Sequence, residues 1–161
     1  MTADYVLMLV ARWLHIVSAA LAIGVPIFMR FVLMPARSRL EESQRAVLHE
    51  AVMARWRIFV YCMIVVFLVT GFWTFLGVAR WRAFEPDDRF RYHLLFGIKL
   101  LIALVMFFLS SALAGRSAAL AGIRAKAPMW VGVLILLGLA VVCISGVLRF
   151  MAPVMSAQAP G

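Results

Sequence analysis

Four apolar stretches, each long enough to cross a bilayer, constrain this chain more than any other feature. They cover residues 13–33, 58–79, 92–114 and 129–148. A membrane-crossing helix needs about 20 mostly apolar residues, and lipid forces the backbone of such a stretch to satisfy its own hydrogen bonds as a helix. We therefore expect one all-α integral membrane domain, an up-down bundle of four transmembrane helices.

The composition supports a membrane protein. The 161 residues are 66% hydrophobic and only 14% charged, and a soluble domain of this length would need more polar surface. The net charge of +9 fits basic loops beside anionic lipid better than it fits a nucleic-acid partner, which we do not expect. Cys62 and Cys143 fall inside the spans and are interpreted as small buried hydrophobes.

The basic residues lie unevenly about the four spans and predict an orientation. Nine of them flank the first and third loops, and six flank the other side. The positive-inside rule then puts these two loops in the cytoplasm and both termini outside, in a bacterial-type inner (plasma) membrane. We expect a kink at Pro26, a solvated cytoplasmic loop that carries His49, and a flexible tail over residues 152–161.

The first span carries a histidine beside a strip of small side chains. Ser18, Ala19 and Ala22 follow His15 by three, four and seven residues. Those spacings put all four residues on one helical face. A histidine next to small side chains leaves room for a flat, bulky group.

A second histidine is expected at the same depth. His15 and His93 each lie within two residues of the outer end of their helices, which run in the same direction. Two imidazoles on facing helices suit a six-coordinate haem b. Gly97 lies on the same face as His93 and leaves space for the haem. Phe96 is placed to stack on the haem macrocycle, and Arg12 is placed to pair with a haem propionate.

A weak internal repeat relates the two halves of the chain. Thr70-Gly71 lies near the outer end of the second span, and Ser145-Gly146 near the outer end of the fourth. Each pair follows a histidine by a similar interval, 55 residues from His15 to Thr70 and 52 from His93 to Ser145. The repeat predicts two parallel helical hairpins related by a pseudo-two-fold axis along the membrane normal.

Lys99 is the third ionisable residue inside a span. It follows His93 by six residues, which puts it about 9 Å deeper in the bilayer. A lysine at this depth is costly when it faces lipid, so we expect it to face the bundle as a polar partner or proton-exchanging catalytic group.

Copper remains the alternative metal for the two histidines, although the 10 methionines form no tight cluster at the outer face.

Two segments resemble a known superfamily of four-helix membrane proteins. They are LHIVSAALAIG in the first span and YHLLFGIKLLIALVMFFLSSALAGRS in the third. They are similar to the copper resistance protein D (CopD) domains and the HemJ-type protoporphyrinogen oxidases, in which an early histidine, a glycine and a third-helix lysine recur. Those positions are His15, Gly24 and Lys99 in this chain, and His93 is not among them. The HemJ branch implies a haem-binding oxidase acting on protoporphyrinogen, and the CopD branch implies copper transport or handling.

Several functions therefore remain open from the sequence. The first is a b-type haem protein that exchanges electrons in the bilayer with a quinone or a partner membrane subunit. The alternatives are a HemJ-like oxidoreductase, a CopD-like copper protein and a structural subunit without a cofactor. A homo-oligomer is compatible with each of them.

Overall fold

The computed structural model describes residues 3–81 and 86–151, with side chains over 5–76 and 89–151. Every regular element in these ranges is helical, which confirms the all-α fold. The four long helices are α1 (Ala3–Phe28), α2 (Glu42–Trp81), α3 (Pro86–Ala114) and α4 (Ala127–Met151). Each belongs to a helical segment long and apolar enough to cross a membrane. The tail predicted over residues 152–161 lies outside the described residues.

The first helix changes type where a proline interrupts it. Pro26 lies inside α1, and a π-helical turn, Met29–Leu33, begins three residues later and leads into a short α-helix, Met34–Ser38. Proline has no N–H to donate, and its ring crowds the carbonyl group four residues earlier. The structure shows an irregularity close to the proline, a wider π turn that begins after α1 ends at Phe28.

The second helix is longer than the sequence predicted. It begins at Glu42, 16 residues before the apolar span expected from residue 58, and its 40 residues extend about 60 Å at 1.5 Å per residue. The added segment is rich in Glu, Gln, Arg, Ala and Met, which are good helix formers. His49 consequently lies on α2, and its placement in a loop was wrong, although its side chain is exposed as expected.

The helices pack as two hairpins. The closest pairs are α1 with α2 and α3 with α4, while α1 also packs on α4, and α2 on α3. Helices α1 and α3 therefore stand diagonally across the bundle. The connection from α3 to α4 holds a 3₁₀ turn, Ala118–Leu120, and a short helix, Ala121–Ala125.

Many large apolar residues lie on the surface of the bundle, although others, such as Phe67 and Phe107, are buried. Ser18 and Thr70 are buried, whereas the side chains of Ile58 and Leu136 are each 68% exposed. Such a surface suits lipid, because helices in a bilayer associate through close packing and internal polar contacts rather than by hiding apolar surface. Cys62 and Cys143 are also exposed. Their burial was predicted wrongly, since an apolar span does not reveal which of its faces meets lipid.

Candidate functional site

The candidate site is centred on His15, whose ring reaches from α1 to α2. Its Nδ1 atom lies 3.1 Å from Oγ1 of Thr70, and the Thr70 hydroxyl lies 2.6 Å from the carbonyl oxygen of Val66. A hydroxyl has one hydrogen to donate, and the short contact to Val66 takes it. His15 therefore donates through Nδ1–H to Thr70, and Nε2 keeps its lone pair.

Two further residues of α2 hold the imidazole in place. The ring of Phe67 lies 4.3 Å from the His15 ring, centroid to centroid. A Cβ atom at Gly71 would come within 3.1 Å of Cε1 of His15. Gly71 thus provides the clearance that this ring needs. Sequence reasoning singled out Thr70 and Gly71 only as half of a repeat and missed Phe67, which no local motif distinguishes from other core aromatics.

The small residues beside His15 lie where helices pack against one another. Ser18 is buried, and Ala22 is half-buried. Ala19 packs against the buried cluster of Phe67, Ala103 and Phe107. The small side chains therefore let α2 and α3 approach α1 next to the histidine.

Lys99 lies on the bundle side of α3. Its side chain is half-buried. The site therefore offers an imidazole and a lysine amine inside the membrane-spanning region.

His93 has different surroundings. Its side chain is exposed, and its Nδ1–H donates to the carbonyl oxygen of Arg89, at 2.7 Å. The rings of Phe75 and Tyr92 meet it edge-on, with centroids 5.7 and 5.9 Å away. Phe96, expected beside a macrocycle, stacks on Phe75 at 3.9 Å.

The two histidines contact the same part of α2. The partner of His15 is Thr70 and that of His93 is Phe75, five residues later and about 7.5 Å further along the helix. No direct contact joins the two imidazoles in the described structure. Gly97 and Arg12 are exposed, and a Cβ atom at Gly97 would meet open space.

No larger cluster of metal-binding side chains surrounds His15 and His93 in the described part of the chain. Among the described side chains, no group of three or more His, Cys, Asp or Glu residues is placed to hold a metal ion.

The two helical hairpins differ in the contacts that Thr70 and Ser145 make. Thr70 meets a histidine of the neighbouring helix, whereas Ser145 donates to the carbonyl oxygen of Val141 in its own helix, at 2.6 Å.

The fold and its apolar surface define a multi-pass integral membrane protein, and one family comparison agrees. Residues 9–84 match the model of a family described as predicted integral membrane proteins (DUF2269). The matched segment is slightly under half of the chain and contains His15, Thr70 and Gly71, whereas His93 and Lys99 lie beyond it. No curated protein and no solved structure matches the chain.

Proposed function

We propose that this chain is a membrane b-type haem protein active in electron transfer, with His15 as an axial ligand. The observation that supports this most is the hydrogen bond from His15 Nδ1–H to Thr70. Histidines that bind a metal almost always donate their other ring N–H to a fixed acceptor, which sets the tautomer and the orientation of the ring. His15 meets that requirement and keeps Nε2 for the iron.

In this proposal His93 would supply the second imidazole that holds the haem iron. His93 has the same tautomer as His15, because the carbonyl oxygen of Arg89 can only accept its Nδ1–H. Bound haem supplies one-electron chemistry at a potential set by the ligands and the polarity around them. In this proposal Thr70 orients one ligand, Gly71 gives the ring its clearance, and Arg12 meets a propionate. A quinone or a partner membrane subunit exchanges the electron.

Absorption spectra of the detergent-purified protein test the proposal. We expect sharp reduced α and Soret bands after dithionite, and loss of these bands in both His15→Ala and His93→Ala. His49→Ala is the matched control, because it removes an exposed imidazole from the opposite end of the bundle. Gel filtration and circular dichroism verify that each variant is folded.

The alternative outcomes separate the competing functions. A folded wild type that stays without bands after haem is supplied contradicts the proposal and leaves copper binding at His15, or a structural role, as the explanation. Bands that vanish in His15→Ala and persist in His93→Ala keep the haem but remove His93 as its ligand.

A HemJ-like oxidation of a porphyrinogen is the second candidate function. The observation that favours it is the half-buried Lys99 within a membrane-spanning helix, whereas the ring contacts of His93 are to Phe75 and Tyr92. In such a reaction the substrate loses equal numbers of electrons and protons, and a quinone takes the electrons. In this proposal Lys99 exchanges a proton with the substrate.

Complementation tests the second function. The chain is expected to rescue a bacterial strain that lacks protoporphyrinogen oxidase, and Lys99→Ala to abolish the rescue. Lys126→Ala, which removes the other lysine of the chain from an exposed turn, serves as the control and should rescue fully. Rescue by Lys99→Ala at the wild-type level would exclude the proposed role of this lysine.

A further inference from the structure

A cavity lies at the end of the bundle opposite His15 and His93. This end, called the basic end below, carries Arg37, His49 and Arg124. The cavity has a volume of about 340 Å³, near the lower limit of the ~300–1,000 Å³ typical of small-molecule sites. Its apolar wall comes from three helices and contains Pro26, Leu33, Val52, Trp56, Val131 and Leu134.

The charged groups that line this cavity are all basic. Arg37, His49 and Arg124 take part in the lining, and no acidic residue does. The ion pair nearest in sequence joins Arg116 to Glu50 at 4.0 Å, and both of its side chains are well exposed. An anion in the cavity would therefore meet positive charge that no carboxylate of the lining neutralises.

Arg124 carries an unsatisfied donor in this lining. Its Nη2 group donates to the carbonyl oxygen of Ser117, at 2.7 Å, while its Nη1 atom is buried without a hydrogen-bond partner. A buried donor without an acceptor is costly, and more so when the group is charged. An oxygen from a bound phosphate would remove that cost and form a charge-assisted hydrogen bond.

The depth of the cavity identifies the kind of ligand. Arg37 follows the end of the first apolar span, and Arg124 precedes the start of the fourth, so both guanidinium groups belong to the membrane interface. The apolar wall extends from them toward the bilayer core, along α1, α2 and α4. Basic sites between transmembrane helices at an interface are suited to lipid phosphate groups.

We propose that this cavity binds an anionic phospholipid from the surrounding bilayer. Arg37 and Arg124 hold its phosphate, His49 lies at the same head group, and the first part of an acyl chain occupies the apolar wall beside Trp56. The proposal involves no residue of the His15 site and is independent of haem binding.

Thermal unfolding in mixed micelles tests this inference. A ligand that binds only the folded protein raises its Tm, and the rise grows with the ratio of free ligand concentration to Kd. We expect phosphatidylglycerol to raise the Tm of the full chain and phosphatidylcholine at the same mole fraction to have a much smaller effect. Inorganic phosphate and a short-chain alkyl phosphate, added separately, distinguish a free phosphate from a lipid, and neither is expected to reproduce the full shift.

Two substitutions locate the binding site. Arg124→Gln is expected to raise the apparent Kd for phosphatidylglycerol about tenfold, which is the usual effect of losing one charge-assisted hydrogen bond. Arg116→Gln is the control, because it removes the same charge from the same end of the bundle at an exposed position. Val131→Phe fills the cavity without changing any charge and should also weaken binding.

Four results would overturn the inference. Equal shifts with phosphatidylcholine and phosphatidylglycerol would remove the role of the net negative charge of the head group. A full shift with inorganic phosphate alone would remove the role of the apolar wall. Equal losses in Arg116→Gln and Arg124→Gln would show a general charge effect at this surface, and unaltered binding in folded Val131→Phe would exclude the cavity.

Discussion

The hydroxyl of Thr70 connects two helices through a single side chain. It accepts the Nδ1–H of His15 and donates to the carbonyl oxygen of Val66, so its one hydrogen and one of its lone pairs are in use. Valine has nearly the same shape and neither capacity. In Thr70→Val the His15 N–H therefore loses its acceptor inside the membrane region.

We expect Thr70→Val to lower the free energy of unfolding by about 1 kcal/mol, the usual size for a hydrogen bond between membrane helices. Thr74→Val is a close control. Its hydroxyl donates to the carbonyl oxygen of Thr70, at 2.8 Å, and has no partner on another helix among the residues that the structure describes. Unfolding in mixed micelles, followed by circular dichroism, measures both variants, and equal losses would contradict a specific role for the bond to His15.

The sequence predicted how deep each candidate residue lies in the membrane better than it predicted which neighbour its side chain faces. Counting along a span places His15 and His93 near the same end of the bundle, because a helix rises regularly with residue number. Counting does not determine how each helix is rotated against its neighbours. For this reason the bond from His15 to Thr70, 55 residues away, and the exposure of His93 emerged only from the packed structure.

At the scale of the helices, Gly138 marks a tight contact between α1 and α4. A Cβ atom at Gly138 would lie 2.7 Å from Cγ1 of Ile23 and 3.5 Å from Cε of Met106. The first distance is too short for two carbon atoms, and Cγ1 is not at the free end of its side chain. Any side chain at position 138 therefore has to separate α4 from α1 or change the Ile23 rotamer.

We expect Gly138→Ala to lower the free energy of unfolding by about 1–3 kcal/mol, as is usual when a well-packed interior is overfilled. Gly132→Ala changes the same helix at a position with nothing within 4 Å of the new Cβ atom and should be tolerated. Denaturation with dodecyl sulphate in mixed micelles compares the two variants. Wild-type stability in Gly138→Ala would mean that α1 and α4 are less tightly packed than the distance implies.

Hydropathy located the four spans but not the full helices. The apolar stretch expected from residue 58 lies inside a helix that begins at Glu42, because hydropathy indicates which residues contact lipid, whereas helix formation continues through polar residues of good propensity. The same extension brings His49 onto α2 and into the lining of the basic-end cavity. That cavity was not predicted, since it depends on the relative position of three helices.

At the scale of the whole molecule, the distribution of charge predicts which end of the bundle faces the cytoplasm. Four spans place both ends of the described chain on one side of the membrane, and nine basic residues flank the loops on the other side against six. The positive-inside rule assigns the basic end to the cytoplasm and the histidine site to the outer half of the bilayer. An anionic lipid at Arg37 and Arg124 would then come from the cytoplasmic leaflet, where such lipids give the surface its negative potential.

Labelling of single cysteines in intact cells measures this orientation. After replacement of Cys62 and Cys143 by alanine, Ser38→Cys and Ser117→Cys place a thiol in each loop of the basic end, and Gln158→Cys places one in the C-terminal tail. A membrane-impermeant maleimide should label only the tail variant in intact cells and all three after permeabilisation. The opposite pattern would reverse the orientation and place His15 nearer the cytoplasm. The proposed electron partner would then have to reach the site from that side, although the contacts of His15 with Thr70 and of Arg124 with Ser117 would be unchanged.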